Sequence, residues 1–124
     1  MGHMVKVLLV DDDPDIRALL ANWLDGTDFE VVLGADGYQA LQFARAEMPD
    51  VILLDINLPA AKGFVVHHRM KSIPSLQNVP VVYISSDRTA EKRALDAGAA
   101  RFLPKPLERE SLMRTLREVY DQSS

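Results

Sequence analysis

Two short apolar runs, each ending on aspartate, constrain this chain more than any other feature. Met4-Val5-Lys6-Val7-Leu8-Leu9-Val10 runs into Asp11-Asp12-Asp13, and Val51-Ile52-Leu53-Leu54 runs into Asp55. Both are rich in branched residues and bounded by polar ones, the pattern of strands buried on both faces of a parallel sheet. The active crevice of an open parallel α/β sheet lies at the carboxyl ends of its strands. The two strands therefore bring three or four carboxylates to one place. Crowded carboxylates raise one another's pKa unless a cation neutralises them. A hard divalent ion with oxygen ligands, magnesium above all, meets that need. The competing reading is that Asp11 to Asp13 only cap the following helix. It accounts for Asp13, which precedes Pro14 as an N-cap precedes a proline at the first helical position. It leaves Asp55 unexplained, because Ile56-Asn57-Leu58-Pro59 reads as a loop.

Apolar runs alternate with amphipathic stretches five times along the chain, with no internal repeat. Ile16, Leu19, Leu20 and Trp23 recur at helical spacing, which predicts a helix over 14–25 that packs by this face and stops at Gly26. Phe29 to Leu33 is the second strand. Asp36-Gly37 opens a helix that turns Leu41 and Ala44 inward and ends near Met48-Pro49. After the third strand, 51–55, a third helix is expected over 63–72 with Phe64, Val65 and Met70 among its apolar positions. His67 and His68 on that helix are adjacent, hence about 100° apart; they cannot share one metal and are expected at the surface. The fourth strand is expected over 79–85, a helix over 89–97 stopped by Gly98, a short fifth strand over 101–103, and a last helix over 108–121 with Leu112, Leu116 and Val119 on one face. Right-handed crossovers between parallel strands are near-obligatory. The result is a (βα)5 doubly wound three-layer sandwich, a flavodoxin-like α/β fold with strand order 2-1-3-4-5. Its switch point, between strands 1 and 3, is where Asp11, Asp12 and Asp55 converge.

The 124 residues fit one domain, which at this size buries about two-thirds of its unfolded surface. Met1-Gly2-His3 looks like a cloning scar, 4–121 forms the domain, and 122–124 is a tail. Fourteen basic against eighteen acidic residues give a net charge of −4, so no basic stripe is available for nucleic-acid phosphates. Cysteine is absent, which excludes disulfides and thiolate metal sites. No apolar stretch approaches the ~18 residues of a membrane span and no signal peptide opens the chain; a cytoplasmic location is the expectation.

Two further residues sit at carboxyl ends of strands: Ser85, followed by Ser86, and Lys105, followed by Pro106. Carboxylates for a metal, one carboxylate left over, a hydroxyl and a lysine suit a phosphoryl group. Metal and ammonium neutralise its oxygens, the hydroxyl donates a hydrogen bond, and the spare carboxylate attacks phosphorus. A hydrolase could use the same set.

The sequence closely resembles the receiver (CheY-like) domains of two-component response regulators over residues 4–121. The resemblance rests on five motifs in order: Leu9-Val10-Asp11-Asp12; Asp55 with Pro59 and Gly63 at four-residue steps; Pro80-Val81-Val82-Tyr83-Ile84-Ser85; Asp96-Ala97-Gly98-Ala99; and Lys105-Pro106. It implies that Asp55 accepts a phosphoryl group from the phosphohistidine of a sensor histidine kinase or phosphotransfer protein, or from acetyl phosphate. It also implies that Asp12 and Asp55 hold Mg2+ directly, Asp11 through water, and Asn57 by its backbone carbonyl. Ser85 would bind the phosphoryl oxygen and Lys105 would pair with the acidic pocket. The Lys105-Pro106 bond is expected to be cis. Ser85 and Phe102 would form the switch to a surface of the fourth helix, fifth strand and fifth helix, read by a downstream effector. Asn57 and Asp87, each two residues beyond a pocket residue, would tune autodephosphorylation, although Asp87 could equally cap the next helix. The implied protein is a signalling switch that catalyses only its own modification, monomeric at rest, with dimerisation on phosphorylation left open.

Three departures from the family pattern stand out. Phe102 brings no hydroxyl to the aromatic switch position. The stretch between Ser85 and Gly98 is two residues short. Ala60-Ala61-Lys62 replaces the usual small-acidic sequence. Other classes fit less well. A phosphatase of the haloacid-dehalogenase type needs an acid where Asn57 stands. A flavin carrier needs a phosphate-cradling loop where Asp11-Asp12-Asp13 would repel the phosphate. A degenerate receiver acting only as a scaffold would not retain the full set.

Overall fold

The computed structural model describes residues 4–58 and 62–123, so the readings for Met1 to His3, Pro59 to Ala61 and Ser124 lie outside the described residues. Among the described residues eleven elements follow one another, strands alternating with helices apart from one 3-10 turn that directly precedes a helix. They are β1 (Val5–Val10), α1 (Pro14–Leu24), β2 (Phe29–Gly34), α2 (Gly37–Glu47), β3 (Val51–Asp55), α3 (Gly63–Lys71), β4 (Val81–Ser85), a 3-10 turn (Arg88–Ala90), α4 (Glu91–Asp96), β5 (Arg101–Pro104) and α5 (Arg109–Ser123). All strand pairs are parallel, and the sheet order is β2-β1-β3-β4-β5. The chain thus has the CheY-like flavodoxin fold.

Local chemistry explains the boundaries. Asp13 caps α1 by accepting from the Asp15 N–H at 2.9 Å, with Pro14 at the first helical position. Asp36 caps α2 in the same way through the Gln39 N–H at 2.8 Å. Gly26, just past α1, takes φ +75, a left-handed conformation that glycine adopts without Cβ strain.

The sheet separates two cores. Leu8, Val10, Ile52, Leu54, Val81 and Tyr83 pack on one face against Ala40 and Ala44 of α2, Val66 and Met70 of α3, and Ala90 and Ala94 around α4. Val7, Leu9, Leu53, Val82 and Ile84 pack on the other against Leu20 and Leu24 of α1 and Leu112, Leu116 and Val119 of α5.

Several expected details shift. Leu19, expected inside, is 40% exposed, and Val65 is 47% exposed; the residues that α1 buries are Leu20 and Leu24. β4 begins at Val81 rather than Val79, because the Val79 N–H is engaged in a turn to the Leu76 carbonyl. The helix expected from 89 opens as the 3-10 turn, and only six residues of α4 follow. α5 continues through Gln122 and Ser123, which were expected to be tail.

Candidate functional site

The ends of β1, β3, β4 and β5 meet at one edge of the sheet. Asp11, directly after β1, is fully buried and almost completely tied. Its N–H donates to the Gly34 carbonyl at 3.1 Å, its carbonyl accepts from Arg17 Nη1 at 2.8 Å, and its Oδ1 accepts from the Asp13 N–H at 2.9 Å. Asp12 is exposed beside it. Asp55, the last residue of β3, is 5% exposed, and its Oδ1 accepts from the Asn57 N–H at 3.0 Å.

Lys105 reaches into this group from beyond β5. Its Nζ lies 2.8 Å from Asp11 Oδ2 and 3.3 Å from Asp55 Oδ2. Its own N–H donates to the Ser85 carbonyl at 2.8 Å, and the following bond to Pro106 is cis, as the resemblance implies. Burial pushes the Asp55 carboxyl above its ordinary value and the Asp11 charge adds to this, against the opposing pull of the Asn57 N–H and the Lys105 ammonium. Burial alone would depress Lys105, but the contacts with Asp11 and Asp55 outweigh it and the ammonium is held above its ordinary value. Each partner thus favours the charged form of the other, although at Asp55 burial outweighs that pull.

The loop after β3 has a steric requirement. A Cβ at Gly63 would lie 2.6 Å from the Asp55 carbonyl oxygen and 3.0 Å from the Ile56 Cα, while the Gly63 N–H donates to the Ile56 carbonyl at 2.8 Å. Only glycine lets α3 start this close to the acidic residue.

Ser85 is buried at the end of β4, and its Oγ accepts from the Asp87 N–H at 3.0 Å. In that bond the Ser85 oxygen is the acceptor, so its proton remains available as a donor. Asp87 itself is exposed and its carboxylate caps the 3-10 turn, accepting from the Thr89 N–H at 3.0 Å and the Thr89 hydroxyl at 2.6 Å. These bonds hold its carboxyl below the ordinary range. Phe102 lies on β5, half-buried, in register with Tyr83.

Asp11, Asp12 and Asp55 offer carboxylate oxygens within 4.8 Å of one another. Three carboxylates facing the Lys105 ammonium leave negative charge uncompensated. Asp11 Oδ2 is buried and has the Lys105 ammonium, 2.8 Å away, as its partner. An acidic triad that shares one ammonium suits a hard divalent cation.

One neighbouring residue corrects the sequence reading. His67, expected at the surface, is 6% exposed, and its Nδ1 lies 2.8 Å from the hydroxyl of the fully buried Tyr83. Nothing in the spacing of His67 and His68 signals this. The one available clue was a tyrosine inside a strand otherwise apolar on both faces, since a buried phenol needs a partner.

The response regulator receiver domain model matches residues 7–117. Response regulator PleD of Caulobacter vibrioides is 35% identical over 92% of this chain, which spans 26% of that protein. Response regulator MprA of Mycolicibacterium vanbaalenii is 34% identical over 93% of this chain and 50% of its own length. The chain therefore spans half or less of these curated relatives. Among solved structures, the receiver domain of sensor histidine kinase PA1611 from Pseudomonas aeruginosa, which has a magnesium ion coordinated in its active-site cleft, aligns with a TM-score of 0.86 at 28% identity, covering 95% of this chain and 98% of that one. With its acidic triad, sheet order and matched sequence, this chain belongs to the response regulator receiver domain family.

Proposed function

We propose that the domain is a phospho-accepting switch of two-component signalling, with Asp55 as acceptor. One Asp55 carboxylate oxygen attacks the phosphorus of a phosphohistidine on a sensor histidine kinase or phosphotransfer protein. The new P–O bond replaces the P–N bond, whose electron pair stays on the ring nitrogen, and the histidine, protonated on its other ring nitrogen, departs as neutral imidazole. The observation that carries this reading is Lys105 Nζ bridging Asp11 and Asp55 inside a triad of carboxylates. Asp11 is too enclosed to be approached, whereas Asp55 keeps a little exposed surface at the crevice.

The carboxylates of Asp11, Asp12 and Asp55 and the carbonyl of Asn57 would hold Mg2+. When bound, the ion supplies positive charge to the phosphoryl oxygens. Lys105 turns its ammonium from the carboxylates to the incoming oxygens, and Ser85 donates its free hydroxyl proton to one of them. As Ser85 moves, Phe102 fills the vacated space and alters the surface of α4, β5 and α5, which a downstream effector reads. Water later hydrolyses the acyl phosphate, with Asn57 and Asp87 setting its approach; Asp87 does so from a carboxylate already engaged with Thr89. The module itself binds no nucleic acid. It is monomeric at rest in a cytoplasmic setting, and phosphorylation would be the trigger for any dimer. Among the described residues no helix is long and apolar enough to cross a membrane.

Acetyl phosphate with magnesium is expected to yield an alkali-labile phosphoprotein, and Asp55→Asn to abolish it while keeping the circular dichroism of the parent. Labelling of the variant at the parental level would remove Asp55 from the role.

A further inference from the structure

We infer that His67 and Tyr83 are positioning residues of the switch, their hydrogen bond tying the wall beside Phe102 to α3. The inference rests on the proposed phosphoacceptor function and extends it to an element outside the α4, β5 and α5 surface.

Tyr83 occupies the centre of this arrangement. It lies two residues before Ser85 on β4, hence on the same face of the sheet, and it is the register partner of Phe102. Phe102 packs against the same buried cluster. Lacking a hydroxyl, Phe102 takes its preferred rotamer from packing alone, so the position of its neighbours decides how far it turns inward.

Tyr83 is not free to shift by itself. Its ring is fully buried and its hydroxyl is bonded to His67 Nδ1. A buried phenol proton left without an acceptor is destabilising; the phenol therefore donates, and Nδ1 is the unprotonated nitrogen of a neutral Nε2–H imidazole. Burial, reinforced by the Lys71 charge, keeps that imidazole neutral. The rings of Phe64 and His67, both on α3, flank Tyr83 with centroids 5.1 and 5.5 Å away.

α3 in turn grips α4. The Arg93 guanidinium of α4 lies 4.7 Å from the centre of the Phe64 ring, and Lys71 Nζ donates to the Ala97 carbonyl at 2.5 Å, capping the end of α4. A six-residue helix held at its middle by Phe64 and at its C-terminal cap by Lys71 is coupled to α3 at both points. Motion of Phe102 against Tyr83 thus reaches α3 through the His67 bond and returns to α4 through Phe64 and Lys71.

Nitrogen and amide NMR of the whole chain tests this. In the resting, magnesium-free domain, Phe102→Leu is expected to shift the His67 ring nitrogens and the amides of 67–71; silence there overturns the link. Beryllofluoride with magnesium is expected to shift the same α3 signals along with those of the pocket. In a His67→Leu, Tyr83→Phe double variant, which leaves neither polar partner orphaned, the α3 response should fall by more than half. The pocket response at Asn57 and Lys105 should persist. An undiminished α3 response in the double variant refutes the proposal. If the pocket ignores beryllofluoride while His67 still senses Phe102→Leu, the phosphoacceptor reading fails and the mechanical link stands.

Discussion

The same sheet carries two buried polar groupings of opposite character. At its carboxyl edge, the Asp11 and Asp55 carboxyl groups share the single ammonium of Lys105, and Asp12 adds a third carboxyl group beside them. Toward the middle of β4, His67 and Tyr83 are neutral and satisfy each other. Burying charge is costly unless it is paired, and burying a neutral pair with matched donor and acceptor is nearly free. The first grouping is therefore tuned to gain from a ligand, whereas the second is complete without one.

The strongest way to break that contrast is to disturb the acidic edge through its backbone. Gly63→Ala would press a methyl group against the Asp55 carbonyl. A loss of roughly 1–3 kcal/mol is expected from such overpacking, together with weaker magnesium binding, both readable by urea denaturation with and without the ion. A fully stable variant with unchanged affinity would show that the loop yields freely.

Acid probes the neutral pair. His67 is lowered from 6.5 to about 4 by burial and by Lys71. Because the folded value lies below the unfolded one, this contribution is fully present above pH 6.5 and fades as pH falls toward 4. Relative to His67→Leu, the parent is expected to lose on the order of 2 kcal/mol across that window. Parallel pH profiles for the two proteins would contradict a neutral buried imidazole.

Magnesium sharpens the comparison from the other side. At tenfold excess over its dissociation constant it should stabilise the parent by about 1.4 kcal/mol. Asp12→Asn should reduce that gain, and Tyr83→Phe should leave it intact. As a floor, Lys92→Ala removes an exposed pair with Asp96 at 2.9 Å, and the thermal midpoint should move by less than about 2 °C.

Much of this was legible in the chain itself. Five alternating elements pointed to a parallel α/β sandwich, the strand order came from likeness to known doubly wound folds, and the crevice followed from aspartates placed where apolar runs stop. Lys105 and Ser85 were readable because their positions also lie at strand ends. Burial decided by distant partners was not legible. His67 is sixteen residues from Tyr83, and no local pattern connects them. Leu19 matched the helical stripe of α1 as well as Leu20 did, and spacing alone does not separate the exposed one from the buried one. The opening of α4 as a 3-10 turn depends on the Asp87 cap with Thr89, a signal that was present but outweighed by the expected periodicity.

The sheet order also sets a sequence in time. The three aspartates of the crevice belong to the first 55 residues, on strands that sit side by side in the sheet. The ammonium that joins them comes from 50 residues further along than Asp55. A growing or refolding chain that pairs β1 with β3 early must therefore gather its negative charges before their internal counterion arrives. During that interval a proton or a dissolved cation has to stand in for Lys105. A divalent ion should consequently hasten the closing of the crevice as well as stabilise it once formed, which stopped-flow fluorescence of Trp23 during refolding with and without magnesium would reveal.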